Sequence, residues 1–187
     1  MKIIGISGSL RRNSYNTALL RAARDLVPAQ TAMEVHGIGG IPLYNADLES
    51  AEGIPAVVGK IKAAISAADG LLLVTPEYNN GIPGVFKNAI DWMSRPASDI
   101  PDVFGGRAVA VIGASPGGFG TILAQDAWLP VLRTLGMKAW WGGRLQISKA
   151  HAVFDDAGEL IDADVRERLR VFLDGFRAFI ADQPDAR

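Results

Sequence analysis

The sequence predicts an α/β fold, a doubly wound sheet of five parallel strands in the order 2-1-3-4-5 with helices on both faces. Three observations carry this. Short continuous apolar runs at residues 3–6, 71–74 and 108–112 have the character of strands covered on both sides. They alternate with longer stretches in which apolar residues recur at the helical period, and a β-α alternation of that kind requires right-handed crossovers between parallel strands. Loops rich in glycine, proline, serine and asparagine follow the first, third and fourth predicted strands, which puts them at the end of the sheet where such folds hold ligands.

The first run leads through the polar turn 7–16 into a helix on which Leu19, Leu20, Ala23, Leu26 and Val27 share one face, and Pro28 ends it. Residues 32–37 alternate weakly through Met33 and Val35, as an edge strand does. Residues 38–54, with Gly39, Gly40, Pro42 and Gly53, form a long connection expected to pack as a surface loop through Leu43 and Tyr44. Pro55 suits the start of the next helix, where its missing N–H is no loss. Val57, Ile61, Ile65 and Ala68 form that helix's stripe, and Asp69-Gly70 closes it before the strand at 71–74. After the loop 75–84, Phe86, Ile90 and Met93 mark a helix that Arg95-Pro96 terminates, with Trp92 beside the stripe. Residues 97–106 read as a loop and 108–112 as a buried strand. The loop 113–120 precedes a helix bearing Leu123, Trp128, Leu129, Leu132 and Leu135, kinked at Pro130 and capped by Gly136. Residues 137–141 read as the last strand. Asp164 with Glu167 resembles a capping box opening the final helix, which carries Val165, Leu169, Phe172, Phe176, Phe179 and Ile180. Residues 182–187 read as a frayed polar tail.

A chain of 187 residues is long enough to bury about 70 % of the surface its unfolded form exposes, so one domain spanning 1–187 is expected. A net charge of -1 without a Lys/Arg stripe argues against nucleic acid as partner. No apolar stretch approaches the roughly 20 residues that cross a membrane, and the N-terminal residues lack the tripartite order of a secretory signal, so the cytoplasm is the expected compartment. Zero cysteines exclude disulfides, thiolate catalysis and thiolate metal sites. The two histidines, His36 and His151, stand apart and outside any ligand spacing, and a surface or strand-end role is the simpler reading of each. No metal site is expected. If the chain is an enzyme, a cofactor supplies the reactive atom.

The turn 7–16 has the outline of a phosphate cradle. The first turn of a helix offers unpaired N–H groups and the positive end of the dipole to an anion. Arg11 adds a forked, permanently charged donor. The spacing matches neither G-x-x-x-x-G-K-[ST] nor G-x-G-x-x-G, which points away from nucleoside triphosphates and from dinucleotides bound in the Rossmann manner. What remains is G-S-x-R-x-x-S-x-N, made by Gly8, Ser9, Arg11, Ser14 and Asn16. Hydroxyls and an amide around one arginine suit a terminal phosphate monoester. Ser14 has a purely structural alternative as the helix N-cap. In the 2-1-3-4-5 order the first and third strands meet at the reversal point, so the cradle and the loop at Pro76 line one crevice.

Gly8-Ser9-Leu10-Arg11 with Ser14 and Asn16, followed by Thr75-Pro76-Glu77-Tyr78-Asn79 and then Lys87-Asn88-Ala89-Ile90-Asp91-Trp92, resembles the NAD(P)H-dependent FMN reductases of flavodoxin-like fold, and among them the bacterial quinone, chromate and azo-dye reductases. The likeness runs from residue 2 to about residue 145, and two ordered motifs are far more specific than either alone. It implies FMN, with NADPH or NADH as donor. Ser9, Arg11, Ser14, Tyr15, Asn16 and the backbone of Thr17 would hold the ribityl phosphate. Pro76, Glu77, Tyr78 and Asn79 would meet the isoalloxazine, mainly through main-chain N–H groups at its pyrimidine edge. Ser115, Gly117 and Gly118 would approach its other side, where missing side chains let backbone lie close.

The resemblance further implies two-electron transfer from the nicotinamide through FMN to a small-molecule acceptor: a quinone, free flavin, azo compound or metal oxyanion such as chromate. The flavin carries the chemistry, so no catalytic side chain is assigned. Glu77 is expected to brace its loop, since a carboxylate close to the ring would oppose the reduced anion. Tyr78 is open between contacting the nicotinamide or acceptor and packing. The helix from Asn88 to Arg95 resembles family interface helices, which implies a homodimer or homotetramer; Trp140-Trp141 reads as strand packing or a subunit contact. Two other functions fit an FMN-binding fold. An electron-carrier flavodoxin would dock on protein partners without oxidising pyridine nucleotide, and the near-neutral charge with Arg11-Arg12 weighs against its single-sign docking patch. A flavin-binding sensor would need an effector segment, of which the sequence holds no sign.

Overall fold

The computed structural model describes residues 1–183. Continuous apolar runs make the centre of the sheet. In chain order the strands are β1 (Lys2–Ser7), β2 (Ala32–Gly37), β3 (Gly70–Val74), β4 (Ala108–Ala114), β5 (Lys138–Ala139) and β6 (Gln146–Ile147). All pairings between them are parallel, and they run β2-β1-β3-β4-β5 across the sheet with β6 also on β4. In register, Ile4 lies beside Leu71 and Leu71 beside Val109, and β4 runs on past the Val74–Ile112 pair to Ala114. The reversal in order falls between β1 and β3, as the sequence predicts.

Side chains alternate across these strands and build two cores. On one face Leu72, Val74, Ala110 and Ile112 pack with α1 (Tyr15–Leu26) and with a long C-terminal helix, through Leu19, Leu20, Ala23, Leu169, Phe172 and Phe176. On the other, Ile4, Ile6, Leu71, Leu73 and Val109 meet Ile61 and Ile65, Phe86 and Ile90, and Trp128 and Leu132. The remaining helices are α2 (Ala46–Glu52), α3 (Ala56–Ser66), α4 (Gly84–Met93), α5 (Ile100–Val103), α6 (Ile122–Ala127), α7 (Leu129–Thr134) and the C-terminal α8 (Ala163–Ala181).

The elements themselves depart from the sequence reading in five places. The connection 38–54 contains α2, started by the Asn45 side chain accepting the Asp47 N–H at 2.9 Å. The segment 97–106 coils into a 3-10 turn (Ala97–Asp99) and α5, fixed from outside by the buried ammonium of Lys62, which donates to the Arg95 carbonyl and to Asp99 at 2.6 Å. The helix expected to kink at Pro130 is two short helices meeting at Trp128, because proline sits in the first turn of the second, where its missing N–H is harmless. The strand expected at 137–141 pairs only over Lys138–Ala139, with the Trp140 N–H still donating to the Val109 carbonyl; residues 141–144 leave the sheet, and β6 resumes pairing with β4. Finally, Asp162 and not Asp164 caps α8, accepting the Val165 N–H at 2.8 Å. Of the expected tail, residues 184–187 lie outside the described residues.

Candidate functional site

Because β1, β3 and β4 run parallel, the loops that follow them come out at one edge of the sheet. The Gly8 N–H donates to the Val74 carbonyl at 2.9 Å, the Thr75 N–H to Ile112 at 2.8 Å, and the Ser115 N–H to Ile147 at 2.9 Å, so the sheet ladder continues into the first residue of each loop. Two glycines permit this closeness. A Cβ on Gly8 would fall 2.0 Å from the Phe86 ring, and one on Gly113 would fall 2.2 Å from the Thr75 carbonyl oxygen.

The cradle is built at the start of α1. Ser14 is the N-cap, its Oγ accepting the N–H groups of Asn16 at 3.2 Å and Thr17 at 3.4 Å. Ser9 Oγ accepts the Arg11 N–H at 3.2 Å. The Arg11 guanidinium is exposed, donates to the Asn13 carbonyl, and lies 5.2 Å over the Tyr15 ring. Tyr15 in turn stacks on Phe154 at 6.0 Å, holding the turn against the segment that precedes α8. The Thr17 hydroxyl bonds that of Ser7 at 2.8 Å. A pocket of about 220 Å³ opens beside Arg11, Arg12, Ser14 and Arg21, with Asp155 and Asp156 on its far wall. The larger hollows lie elsewhere: one of about 760 Å³ at the amino end of the strands, and one of about 410 Å³ beside the outer edge of β4.

Asn16 differs from the sequence reading, which put its amide on the phosphate. It is 4 % exposed, donates to the Ala114 carbonyl at 2.9 Å and accepts the Ala114 N–H at 2.9 Å. The amide therefore replaces a missing strand neighbour at the end of β4, and its backbone N–H is taken by the Ser14 cap.

The second loop is held from beneath and from the side. Tyr78 and Gly81 exchange backbone hydrogen bonds at 3.2 and 3.1 Å around Asn79 and Asn80, whose φ values of 48° and 60° make a tight turn of left-handed residues that asparagine tolerates. The Glu77 carboxylate accepts the Leu123 and Ala124 N–H groups, both at 2.9 Å, and so braces its loop against the first turn of α6. The Tyr78 side chain is half exposed. Among the described residues the N–H groups of Glu77, Asn79 and Asn80 meet no acceptor. In the third loop the Ser115 hydroxyl donates to the Gly120 carbonyl at 2.7 Å, Gly117 accepts the Lys149 N–H at 3.0 Å, and a Cβ on Gly118 would meet no atom within 4 Å.

Two residues stand under the second loop, Thr75, which the sequence places at the loop's start, and Trp128, which it places on an apolar helix face. The Thr75 hydroxyl donates to the Pro76 carbonyl at 2.8 Å and accepts the Trp128 indole N–H at 3.2 Å, and both residues are fully buried. What no local pattern signals is their pairing, across 53 residues of chain. On the flank, Asn88 of α4 holds the 38–45 connection through the Pro42 carbonyl and the Tyr44 N–H. Arg95 holds the Glu49 carboxylate below its usual range, and the Tyr44 phenol, donating to Glu49 at 2.9 Å, is pushed up. Trp140 packs edge-on to Phe172 at 4.8 Å, whereas Trp141 is 66 % exposed. Among the described residues no helix is long and apolar enough to cross a membrane.

A family model described as NADPH-dependent FMN reductase matches residues 1–152. The chain is 43 % identical over 180 residues to an NAD(P)H-dependent FMN reductase of Pseudomonas aeruginosa, covering 96 % of this chain and 95 % of that one. It is 39 % identical to a 2-hydroxy-1,4-benzoquinone reductase of a Burkholderia species, with 98 % of each chain covered. Among solved structures, FerB, a flavoenzyme NAD(P)H:(acceptor) oxidoreductase from Paracoccus denitrificans, superposes with a TM-score of 0.84 at 33 % identity, covering 96 % of this chain and 97 % of that one. Three loops at the carboxyl ends of neighbouring parallel strands, one leading into a capped helix start and another carrying backbone N–H groups without an acceptor among the described residues, thus coincide with a match over most of the sequence: the chain belongs to the NADPH-dependent FMN reductase family.

Proposed function

We propose that residues 1–187 act as one FMN-binding domain that oxidises NADPH or NADH and passes two electrons to a small-molecule acceptor, a quinone before others. The observation that carries this is the junction of an anion cradle with unpaired backbone donors across neighbouring strands β1 and β3. A mononucleotide with a charged tail and a flat ring bearing hydrogen-bond acceptors on one edge matches both halves.

The residues present fit FMN by the chemistry of their donors. Arg11, the Ser9 and Ser14 hydroxyls and the first-turn N–H groups of α1 suit a phosphate dianion, since the helix dipole and the guanidinium both favour negative charge there. Tyr15 supports Arg11 from below its guanidinium plane. The N–H groups of Glu77 and Asn79 suit the acceptor edge of the ring, and Gly117 and Gly118 leave room on its other side. When bound, FMN supplies hydride acceptance from the nicotinamide and two-electron delivery to the acceptor. The protein's part is to hold and orient. Glu77, engaged with α6, serves as a brace and leaves the ring without a neighbouring carboxylate. The half-exposed Tyr78 stands at the mouth, where a nicotinamide or a flat acceptor would stack.

Exposed Leu43 and Trp141 support self-association, as a dimer or a tetramer, since large apolar side chains of this exposure are natural contact points. The cytoplasm, where reduced nicotinamide is replenished, is the compartment this reading calls for. Reduction of chromate and azo dyes belongs to the same proposal, because an open flavin face admits small oxidants with little side-chain readout.

The test is direct. Purified protein is titrated with FMN, and pyridine nucleotide oxidation is followed against quinones, free FMN, an azo dye and chromate. Saturable flavin binding and acceptor-dependent oxidation are the expected results. Protein that fails to take up FMN, or flavin that NADPH and NADH do not bleach in stopped flow, overturns the proposal.

A further inference from the structure

The loop that meets the ring in the proposed function is a backbone device, and its geometry is set from inside the fold. We propose that Thr75 and Trp128 are positioning residues that fix the Pro76–Glu77 peptide so that the Glu77 N–H faces the flavin, and thereby set the flavin's reduction potential. The inference rests on the FMN reading.

A buried chain of hydrogen bonds runs from Trp128 Nε1–H to Thr75 Oγ1 at 3.2 Å and from Thr75 O–H to the Pro76 carbonyl at 2.8 Å. Thr75 and Trp128 are each 0 % exposed, so neither bond competes with water, and linked bonds in a dry interior strengthen one another. Thr75 has a single hydroxyl proton. With the indole N–H occupying an acceptor position on its oxygen, that proton is left for the Pro76 carbonyl. The carbonyl is thus drawn inward. The Pro76–Glu77 bond is not among the cis peptides, and in a trans amide the N–H points opposite to the carbonyl. The Glu77 N–H is consequently turned outward, away from Thr75, and it meets no acceptor among the described residues.

A peptide plane can flip by compensating changes at the preceding ψ and following φ, and proline restrains only its own φ. The Thr75 hydroxyl blocks that flip from one side. From the other, the Glu77 carboxylate is bound to the Leu123 and Ala124 N–H groups at 2.9 Å. Trp128 sits directly after that same helix α6, so one short segment, 122–128, grips the peptide at both ends. A fixed N–H at the ring's pyrimidine edge favours the reduced, negatively charged form over the oxidised one, because hydrogen bonding to a charged acceptor is the stronger. The relay therefore acts on the difference in affinity between the two redox forms, which a packing role alone would not reach.

The experiment compares wild type with Thr75→Val, Thr75→Ser and Trp128→Phe. FMN affinity is read by fluorescence quenching, the midpoint potential by reduction against a reference dye, and folding by thermal melting. Thr75→Val is expected to lower the ratio of reduced to oxidised FMN affinity about tenfold, a fall of about 30 mV for a two-electron couple. Trp128→Phe, which keeps the threonine proton, is expected to shift it about threefold in the same direction, and Thr75→Ser to restore the wild-type potential. An unchanged potential in folded Thr75→Val, or a Ser variant displaced as far as the Val variant, overturns the proposal. If Thr75→Val does not fold, an unchanged potential in Trp128→Phe does so. Wild-type protein that binds no FMN refutes the flavin reading itself, and is seen before any variant is compared.

Discussion

Replacing Asn16 separates its two possible roles, anion ligand and tie between α1 and β4. Its amide bonds both the N–H and the carbonyl of Ala114 at 2.9 Å in a site only 4 % exposed. Asn16→Leu keeps the branched heavy-atom skeleton, with bulkier methyl groups in place of the amide, and deletes both bonds, leaving two buried backbone groups without a partner. At about 1–3 kcal/mol for each orphaned group, the loss is about 2–6 kcal/mol, with the lower half expected if water enters. That is a large share of the roughly 5–15 kcal/mol that holds a domain of ordinary stability. Urea unfolding of flavin-free protein measures it, and FMN affinity is read in parallel. Asn16→Asp retains an acceptor for the Ala114 N–H but sets a carboxylate oxygen against the Ala114 carbonyl, so it should also be destabilised. A stability loss below about 1 kcal/mol in Asn16→Leu together with FMN affinity weakened more than tenfold would refute the structural role and return the amide to the phosphate; a tenfold change corresponds to about 1.4 kcal/mol.

Other expectations follow from the same geometry. Arg11→Ala should weaken FMN by about 1.5–3 kcal/mol, the range for a hydrogen bond to a charged group, with little change in melting temperature; equal affinity in a titration would misplace the phosphate. Gly113→Ala places a Cβ 2.2 Å from the Thr75 carbonyl oxygen, which belongs to a buried strand end and cannot yield freely, so a loss of about 1–3 kcal/mol is expected in thermal melts. Lys62→Met keeps the buried stem but leaves the Arg95 carbonyl and Asp99 without their donor, and should cost about 1–3 kcal/mol in urea unfolding. In acid, Glu34, Glu49, Asp99 and Glu167 matter together, since hydrogen bonds from Lys2, Arg95, Lys62 and Arg170 respectively hold them below their ordinary values of 4.5 or, for Asp99, 3.8. A lowered carboxylate binds fewer protons folded than unfolded, so its contribution is complete above the ordinary value and is lost as pH falls through the lowered one. Unfolding midpoints should therefore be flat from neutral pH to about pH 5 and decline below about 4.5, and a midpoint that rose in that window would contradict the assigned pairings.

Much of the fold was legible in residue order because a strand covered on both faces can only be a continuous apolar run, and such runs at 71–74 and 108–112 admit no other element between helical stretches. The edge strand was legible by a different signal, the alternation through Met33 and Val35 of a strand covered on one face, and the order of elements put the reversal between β1 and β3. The cradle's outline was equally legible, since Ser14 must cap a helix that begins one residue later and Arg11 has no apolar surroundings to enter. Short elements escaped, because a helix as brief as α2 or α5 leaves no periodicity and exists through outside contacts such as the Lys62 ammonium on the Arg95 carbonyl.

What the sequence alone determined is therefore what depends on local period and on the order of elements: the parallel sheet, its helices and the edge where loops gather. Only the tertiary structure decided how side chains divide their labour there. It turned Asn16 from the anion toward Ala114, set Glu77 against α6, and placed Thr75 and Trp128, 53 residues apart, in one buried chain of hydrogen bonds. The reason is physical: a polar side chain taken out of water must be satisfied by whatever group the fold brings within 3 Å, and that group comes from a distant strand or helix that no local pattern names.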